Sequence, residues 1–554
     1  MVEGTLDTAK IVSLLGGVIL FFGLMLYVGY RTEKWIDSTS DFIVSGREIN
    51  YLVIGAGFAA IGLAGSQVSA LPEFAITLGL LPASLYMLTW CLFLVIFGWK
   101  IAPYIRRTGV YTTSEWMEQR FDRRTRMVAA IGSALGIIGV VAAQFVGLGL
   151  VVAELTDFSY LYASFGILFI TLVYMYLGGL WAVTVNDVIQ VVIGSVAMIV
   201  VAAWLFVTFG SPSWMAASAP QMASLSGTGA MEPVALTFNS PVTWFIGWGA
   251  LIIGNQYYWI RLVSARSEEA AKKGTVLGGV LTALFFSLLL ALPGAYAVAA
   301  WGAPDTAGYR SGGVFGVMLL EMPPLMDAFV LIALISALMS TASTAIIGIV
   351  SILIRDVWEP LVGRATTSDE LVGPSRIFTV VIGVAAWVWA VTWQETAALM
   401  LALGWSFIAP LVSVILIGLA WPRLTASGAF YGIATGIGAV LFWQYGPWGL
   451  GAYAHETWVG IFIPAIVAVG ISLVTEPPYY GTAEWQERSQ PDTKPSSDGQ
   501  PRPDLQGLAL ELSKPWTPSG RWNEFVVNRG VEGGLLPTLL RYEPRSASEG
   551  DRDE

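Results

Sequence analysis

Five hydroxyl side chains fall within nine residues of one apolar stretch: Ser336, Ser340, Thr341, Ser343 and Thr344 in Ser336-ALMSTAST-Ala345. On a helix, Ser340 and Thr341 are adjacent and the other three lie one turn away, so part of the cluster must face protein. Hydroxyl and carbonyl oxygens without a formal carboxylate are hard ligands, suited to an alkali cation held loosely enough to be released. The structural alternative is that these hydroxyls bond back to carbonyls a turn earlier. Two further stretches free backbone groups. Tyr51-LVIGAGFAAIGLAGSQVSALPEF-Ala75 is interrupted at Gly55, Gly57, Gly62 and Gly65, and Trp244-FIGWGALIIGNQYYW-Ile260 at Gly247, Gly249 and Gly254. Carbonyls and amides released by unwinding can replace an ion's hydration shell or hold a polar solute. Close helix packing is the competing use of such glycines. One cysteine (Cys91) and one histidine (His455) exclude a disulfide scaffold, a zinc site built from them and a Cys/His nucleophile pair. No Ser/His/Asp group or phosphate-binding Gly-Lys loop is present either, so no enzyme is expected.

The elements that carry these groups are membrane helices. The chain has 554 residues, 55% of them hydrophobic and 12% charged, with a mean hydropathy of +0.67. Soluble domains carry about 25% charged residues, so the composition is that of a polytopic membrane protein. A net charge of −10 argues against nucleic acid as a partner. Thirteen segments are apolar over the roughly 20 residues that span a bilayer. They lie near 11–30, 51–71, 78–101, 127–153, 160–178, 186–209, 237–260, 275–301, 325–354, 376–395, 397–421, 428–446 and 457–475. The first lacks a convincing cleavage site and reads as an uncleaved span. Alternate loops hold eighteen of the basic residues against two, Lys10 and Arg310, on the opposite side. Basic loops face the cytoplasm, which puts the N-terminus outside and the C-terminus inside.

Residues 1–50 then hold the outer N-terminal segment, the first span and the first cytoplasmic loop. Residues 51–209 and 237–421 form two consecutive groups of five helices, and each group opens on a glycine-broken helix. Five is odd, so the second group must be inverted relative to the first, and matched breaks in inverted halves point to a transporter's binding site. Residues 428–475 supply two peripheral spans, and 476–554 read as a cytoplasmic tail, partly disordered, whose part near 516–540 is apolar enough to dock. Glu73, Glu154, Glu321, Asp327 and Glu395 sit near span ends, where interfacial placement is the default, and the tryptophans suit interfacial belts. His455, between the last two spans, reads as inert. Only seven of the 29 basic residues are lysine, and acids dominate the loops and tail. Such a surface suits a high-salt environment, where self-repulsion is screened, although GC-rich codon usage would give the same lysine deficit.

The sequence resembles the sodium:solute symporter family, whose inverted-repeat fold is that of the leucine transporter. The resemblance runs from about residue 40 to 475 and rests on four stretches in register. These are Gly178-GLWAVTVNDVIQ-Val191, Asn255-QYYWIRLVSARSEEAAKKG-Gly274, Ala333-LISALMSTAST-Ala345 and Gly404-WSFIAPLVSVILIGLAWPRLTASGA-Phe430. It implies an all-α membrane fold of about 13 helices, and sodium-coupled symport of a small polar organic solute, an amino acid such as proline or a short monocarboxylate. Sodium would be the coupling ion, with no other cofactor. The matching sodium ligands are the carbonyls of Ala60, Leu63 and Ala337 and the hydroxyls of Ser340 and Thr341. Asp187 matches a carboxylate proposed to help sodium leave toward the cytoplasm; a helix cap or an interfacial charge is its structural alternative. Ser66 and Gln67 align with substrate-contacting positions, and Asn255 is a further substrate candidate beside the gate. Departures stand beside these matches. Gly62 replaces an aspartate of proline transporters that matters for ion coupling, and Leu251 falls near the sugar-gate tyrosine. A proton-coupled transporter of the same fold and a transporter-like sensor are the alternatives.

Overall fold

The computed structural model describes residues 8–155, 160–223, 240–359, 370–393, 397–421, 423–447, 450 and 453–476. The tail beyond 476 and Glu395 lie outside them. Among the described residues nine helices are long and apolar enough to cross a membrane. A further span is broken: Tyr51–Leu63 and Gly65–Leu78 meet at a 49° bend around Ala64. The 49 residues of Tyr160–Thr208 would make a rod of about 74 Å, far longer than a bilayer is thick. They are two helices joined at Gly179, whose φ of 48° places it in the left-handed region.

The second glycine-rich stretch is also not a plain helix. Thr243–Trp248 is wound as a π-turn, Gly249–Ile253 as 3₁₀, and a regular helix resumes only at Gln256–Val263. Likewise Glu268–Phe285 and Leu292–Trp301 replace the continuous span read near 275–301. The hydroxyl-bearing helix, Met326–Ile352, is the most enclosed of these nine helices, with 94% of its apolar window inside the protein. Its flanks explain this. It packs against both limbs of the first broken helix, against Gln256–Val263, and against Arg123–Leu155 and Tyr160–Thr208. No lipid-facing stripe is left, which matches its lack of amphipathic patterning.

The basic end of the bundle is tied by charge. Arg126 Nε donates to Asp356 Oδ1 at 2.7 Å, its Nη2 to the Arg355 carbonyl at 2.7 Å, and its Nη1 pairs with Glu118. Thr112 Oγ1 adds a hydrogen bond to Asp356 Oδ1 at 3.1 Å, and Arg107 forks onto Glu268 at 2.6 and 2.9 Å. Gln256 links the same loop to the core: its Oε1 accepts from Thr113 N at 2.8 Å, and its Nε2 donates to Tyr111 O and Ser351 Oγ. Asp356 is fully buried, so this cluster holds the 109–126 segment far more firmly than exposed pairs would.

At the other end His455 is buried. It caps Glu456–Val474, its Nδ1 accepting from Thr457 N at 3.2 Å. Burial pushes the His455 imidazole below the ordinary histidine value, and the Glu456 carboxylate offsets only part of that. Protonation therefore favours the unfolded chain. This contribution to stability is full above about pH 6.5 and is lost as pH falls below it. The apparent Tm of the wild type should fall on acidification through that window, and His455→Asn, which keeps a capping side chain, should remove this component. An unchanged pH dependence in the variant would contradict the assignment.

Candidate ion and solute site

Where Tyr51–Leu63 stops, its last turn faces the middle of Met326–Ile352. Ser340 Oγ lies 3.0 Å from the Ala60 carbonyl oxygen and 3.0 Å from the Ala337 carbonyl oxygen, to which it donates. The hydroxyl thus bonds back within its own helix and also reaches the broken one. Leu63 is the final residue before the break. Thr341 differs from its neighbour. Its Oγ1 is buried with no hydrogen-bond partner, a costly condition for a hydroxyl, and Thr341 lines the cavity described below. An orphaned oxygen beside a carbonyl–hydroxyl group fits a small hard cation.

The charged pair nearest to this cluster was not anticipated. Arg261, grouped in sequence with the cytoplasmic loop charges, is 2% exposed and its Nη2 stands 2.6 Å from Asp187 Oδ2, itself 0% exposed. Arg261 is thus a cation of the core, not of the loop. Asp187 is not a helix cap: it lies inside the helix that follows Gly179 and is fully buried in protein. Arg261 Nη2 also donates to Thr344 Oγ1, and Thr344 Oγ1 to the Ser340 carbonyl at 3.0 Å. The pair is therefore linked to the oxygen cluster through one helical turn. Glycine at position 57 makes room for it, since a Cβ there would sit 2.8 Å from Arg261 Cζ.

Beside the oxygen cluster lies a small, partly open cavity. Ser66 and Gln67 line it, as expected, at the start of the second limb of the broken helix. Gln144, overlooked in the sequence, holds that limb: its Oε1 accepts from Ser66 N at 3.0 Å, and its Nε2 donates to Ser66 Oγ at 3.1 Å and Val140 O at 3.0 Å. Its signal was visible, a lone amide in an otherwise apolar helix. Asn255 stands apart from the lining; its side chain caps Gln256–Val263, accepting from Tyr257 N at 3.4 Å. Trp90, Trp244 and Trp405 form cavity wall rather than interfacial belt. Leu251 is buried outside the lining, and Tyr257 and Tyr258 supply hydroxyls to the wall instead. At Gly62 the side chain of Thr282 occupies the space an aspartate would need, 3.0 Å from a Cβ to Thr282 Cβ.

A helical membrane bundle with two broken helices and a partly open cavity beside the first break has the architecture of a secondary transporter of the inverted-repeat class. The chain belongs to the sodium:solute symporter family, which it matches over residues 42–436. It is 24% identical over 495 residues to the sodium/glucose cotransporter of Vibrio parahaemolyticus, covering 81% of this chain and 88% of that one. It is 22% identical over 474 residues to the high-affinity proline transporter PutP of Bacillus subtilis, covering 82% and 96% respectively. Among solved structures, a substrate-bound, outward-open Na+-coupled sialic acid symporter shares its fold at a TM-score of 0.74. That likeness has 19% identity and covers 85% of this chain and 98% of the other.

Proposed function

We propose that the protein couples inward sodium movement to uptake of a small polar organic solute by alternating access. The observation that carries this reading is the position of Thr341. Its orphaned hydroxyl belongs to the oxygen cluster around Ser340 and also to the wall of the cavity. A cation held by Ala60, Leu63, Ala337, Ser340 and Thr341 would brace the broken helix that forms the cavity, so ion and solute would stabilise the same arrangement. That shared arrangement is the coupling free energy. Solute would be met by Ser66 and Gln67, and would be an amino acid such as proline, the solute named for one relative, or a short monocarboxylate; Asn255 would act by holding its helix. Asp187, one turn from the cluster through Arg261 and Thr344, would receive sodium on its way to the cytoplasm. The protein would sit in the cell membrane with the N-terminus outside and the basic, ion-paired end inside. The site serves transport, not bond making.

Proteoliposomes test this. An inward sodium gradient should drive accumulation of at least one solute from a panel of amino acids, monocarboxylates, sugars and urea. A pH gradient of equal size, without sodium, should not. Accumulation under the pH gradient alone would favour the proton-coupled rival, which Gly62 keeps open. Deleting residues 476–554 should leave uptake intact; abolished transport would favour a signalling design for the tail.

A further inference from the structure

Among the described residues the cavity is walled by six aromatic rings, Tyr86, Trp90, Trp244, Tyr257, Tyr258 and Trp405, and none of those lining it carries a formal charge. The rings are fixed at angles to one another. Tyr86 and Trp244 are nearly perpendicular (88°) at 5.9 Å, Tyr257 and Tyr258 lie 4.5 Å apart, and Trp90 Nε1 donates to Tyr258 OH at 3.2 Å. The polar groups are largely committed. Gln67 Nε2 donates to Tyr86 OH at 3.2 Å, and both polar atoms of the Gln144 amide are used on Ser66 and Val140. Gln67 Oε1 and the Thr341 hydroxyl line the cavity buried and without a hydrogen-bond partner.

Resting on the reading of this cavity as the solute site, we propose that it selects a zwitterion whose ammonium is N-alkylated, most strongly the trimethylated form. The ammonium lies in the aromatic box and the carboxylate at Thr341 beside sodium. Aromatic faces attract a cation through the ring quadrupole, and the attraction grows where water is excluded. A primary ammonium brings three N–H donors, more than Gln67 Oε1 can satisfy, and each buried donor left over is costly. A trimethylammonium has none. A net cation is disfavoured because sodium sits alongside and no lining carboxylate offsets the repulsion. A zwitterion turns that neighbour into an attraction. A sugar would need many free donors and acceptors, which the committed amides do not offer.

The test uses the purified full-length protein and thermal stabilisation, with and without sodium, by glycine, its N-methyl, N,N-dimethyl and trimethyl derivatives, choline, proline and glucose. In sodium, affinity should rise with each methyl group, trimethylglycine binding at least about tenfold more tightly than glycine and more tightly than choline. Trp244→Leu should erase the methyl preference, and Trp244→Phe should keep most of it. Glycine, proline or glucose binding more tightly than trimethylglycine would overturn the substrate class and leave the sodium-linked site standing. No sodium-dependent stabilisation by any compound would overturn both. The wild-type series decides the matter even if the Trp244 variants fail to fold.

Discussion

Thr341→Ala should weaken sodium binding while leaving the sodium-free protein as stable as the wild type or slightly more so. The two effects have opposite signs because the hydroxyl is buried without a partner. Without the ion, removing it relieves a desolvated polar group; with the ion, it deletes a ligand oxygen. The loss should be about 1.5–3 kcal/mol, the range for hydrogen bonds to charged groups, or roughly 10- to 150-fold in affinity. Ser340→Ala should behave differently, losing stability even without sodium, since Ser340 Oγ bridges to Ala60. Thr341→Ser keeps the oxygen and should be mild, and substrate affinity at saturating sodium should change little. Sodium titrations followed by thermal shift read all of these. Equal losses for Thr341→Ala and Thr341→Ser would show that the methyl group's packing, not the oxygen, matters.

The second large effect concerns Asp187 and Arg261. Removing either partner leaves an uncompensated charge in a site at most 2% exposed, which costs about 3–5 kcal/mol. Asp187→Ala or Arg261→Met alone should therefore fold poorly, seen as low yield and a depressed apparent Tm. Together they should recover much of that stability, because exchanging a buried ion pair for apolar side chains is often neutral. Sodium-driven uptake should stay defective in the double variant if the Asp187 carboxylate serves the departing ion. Uptake restored along with stability would reduce the pair to a structural strut.

Much of the site was legible from chemistry types alone. The hydroxyl cluster and the first glycine break are local patterns, and they lead to two helices that the structure brings together beside the cavity. Arg261 shows where that reading ends. A cation seven residues past the last glycine of the broken segment, Gly254, looks like the loop charges that follow it, and only the tertiary pairing with Asp187 takes it inside. The tryptophans fail for a related reason. Trp90, Trp244 and Trp405 lie on three separate segments, so nothing in the spacing announces that they share one wall. Gln144 is the intermediate case: visible as an isolated amide, but without meaning until Ser66 is seen beside it.

The central claim is that ion and solute share one arrangement of the broken helix, and coupling run backwards tests it most directly. Proteoliposomes with equal sodium on both sides should receive an inward gradient of whichever solute gave the strongest sodium-dependent uptake. Radiolabelled sodium should then accumulate inside against no gradient of its own, and Thr341→Ala should reduce that accumulation at low sodium and recover it at high sodium. Solute entering with no movement of labelled sodium would contradict the account.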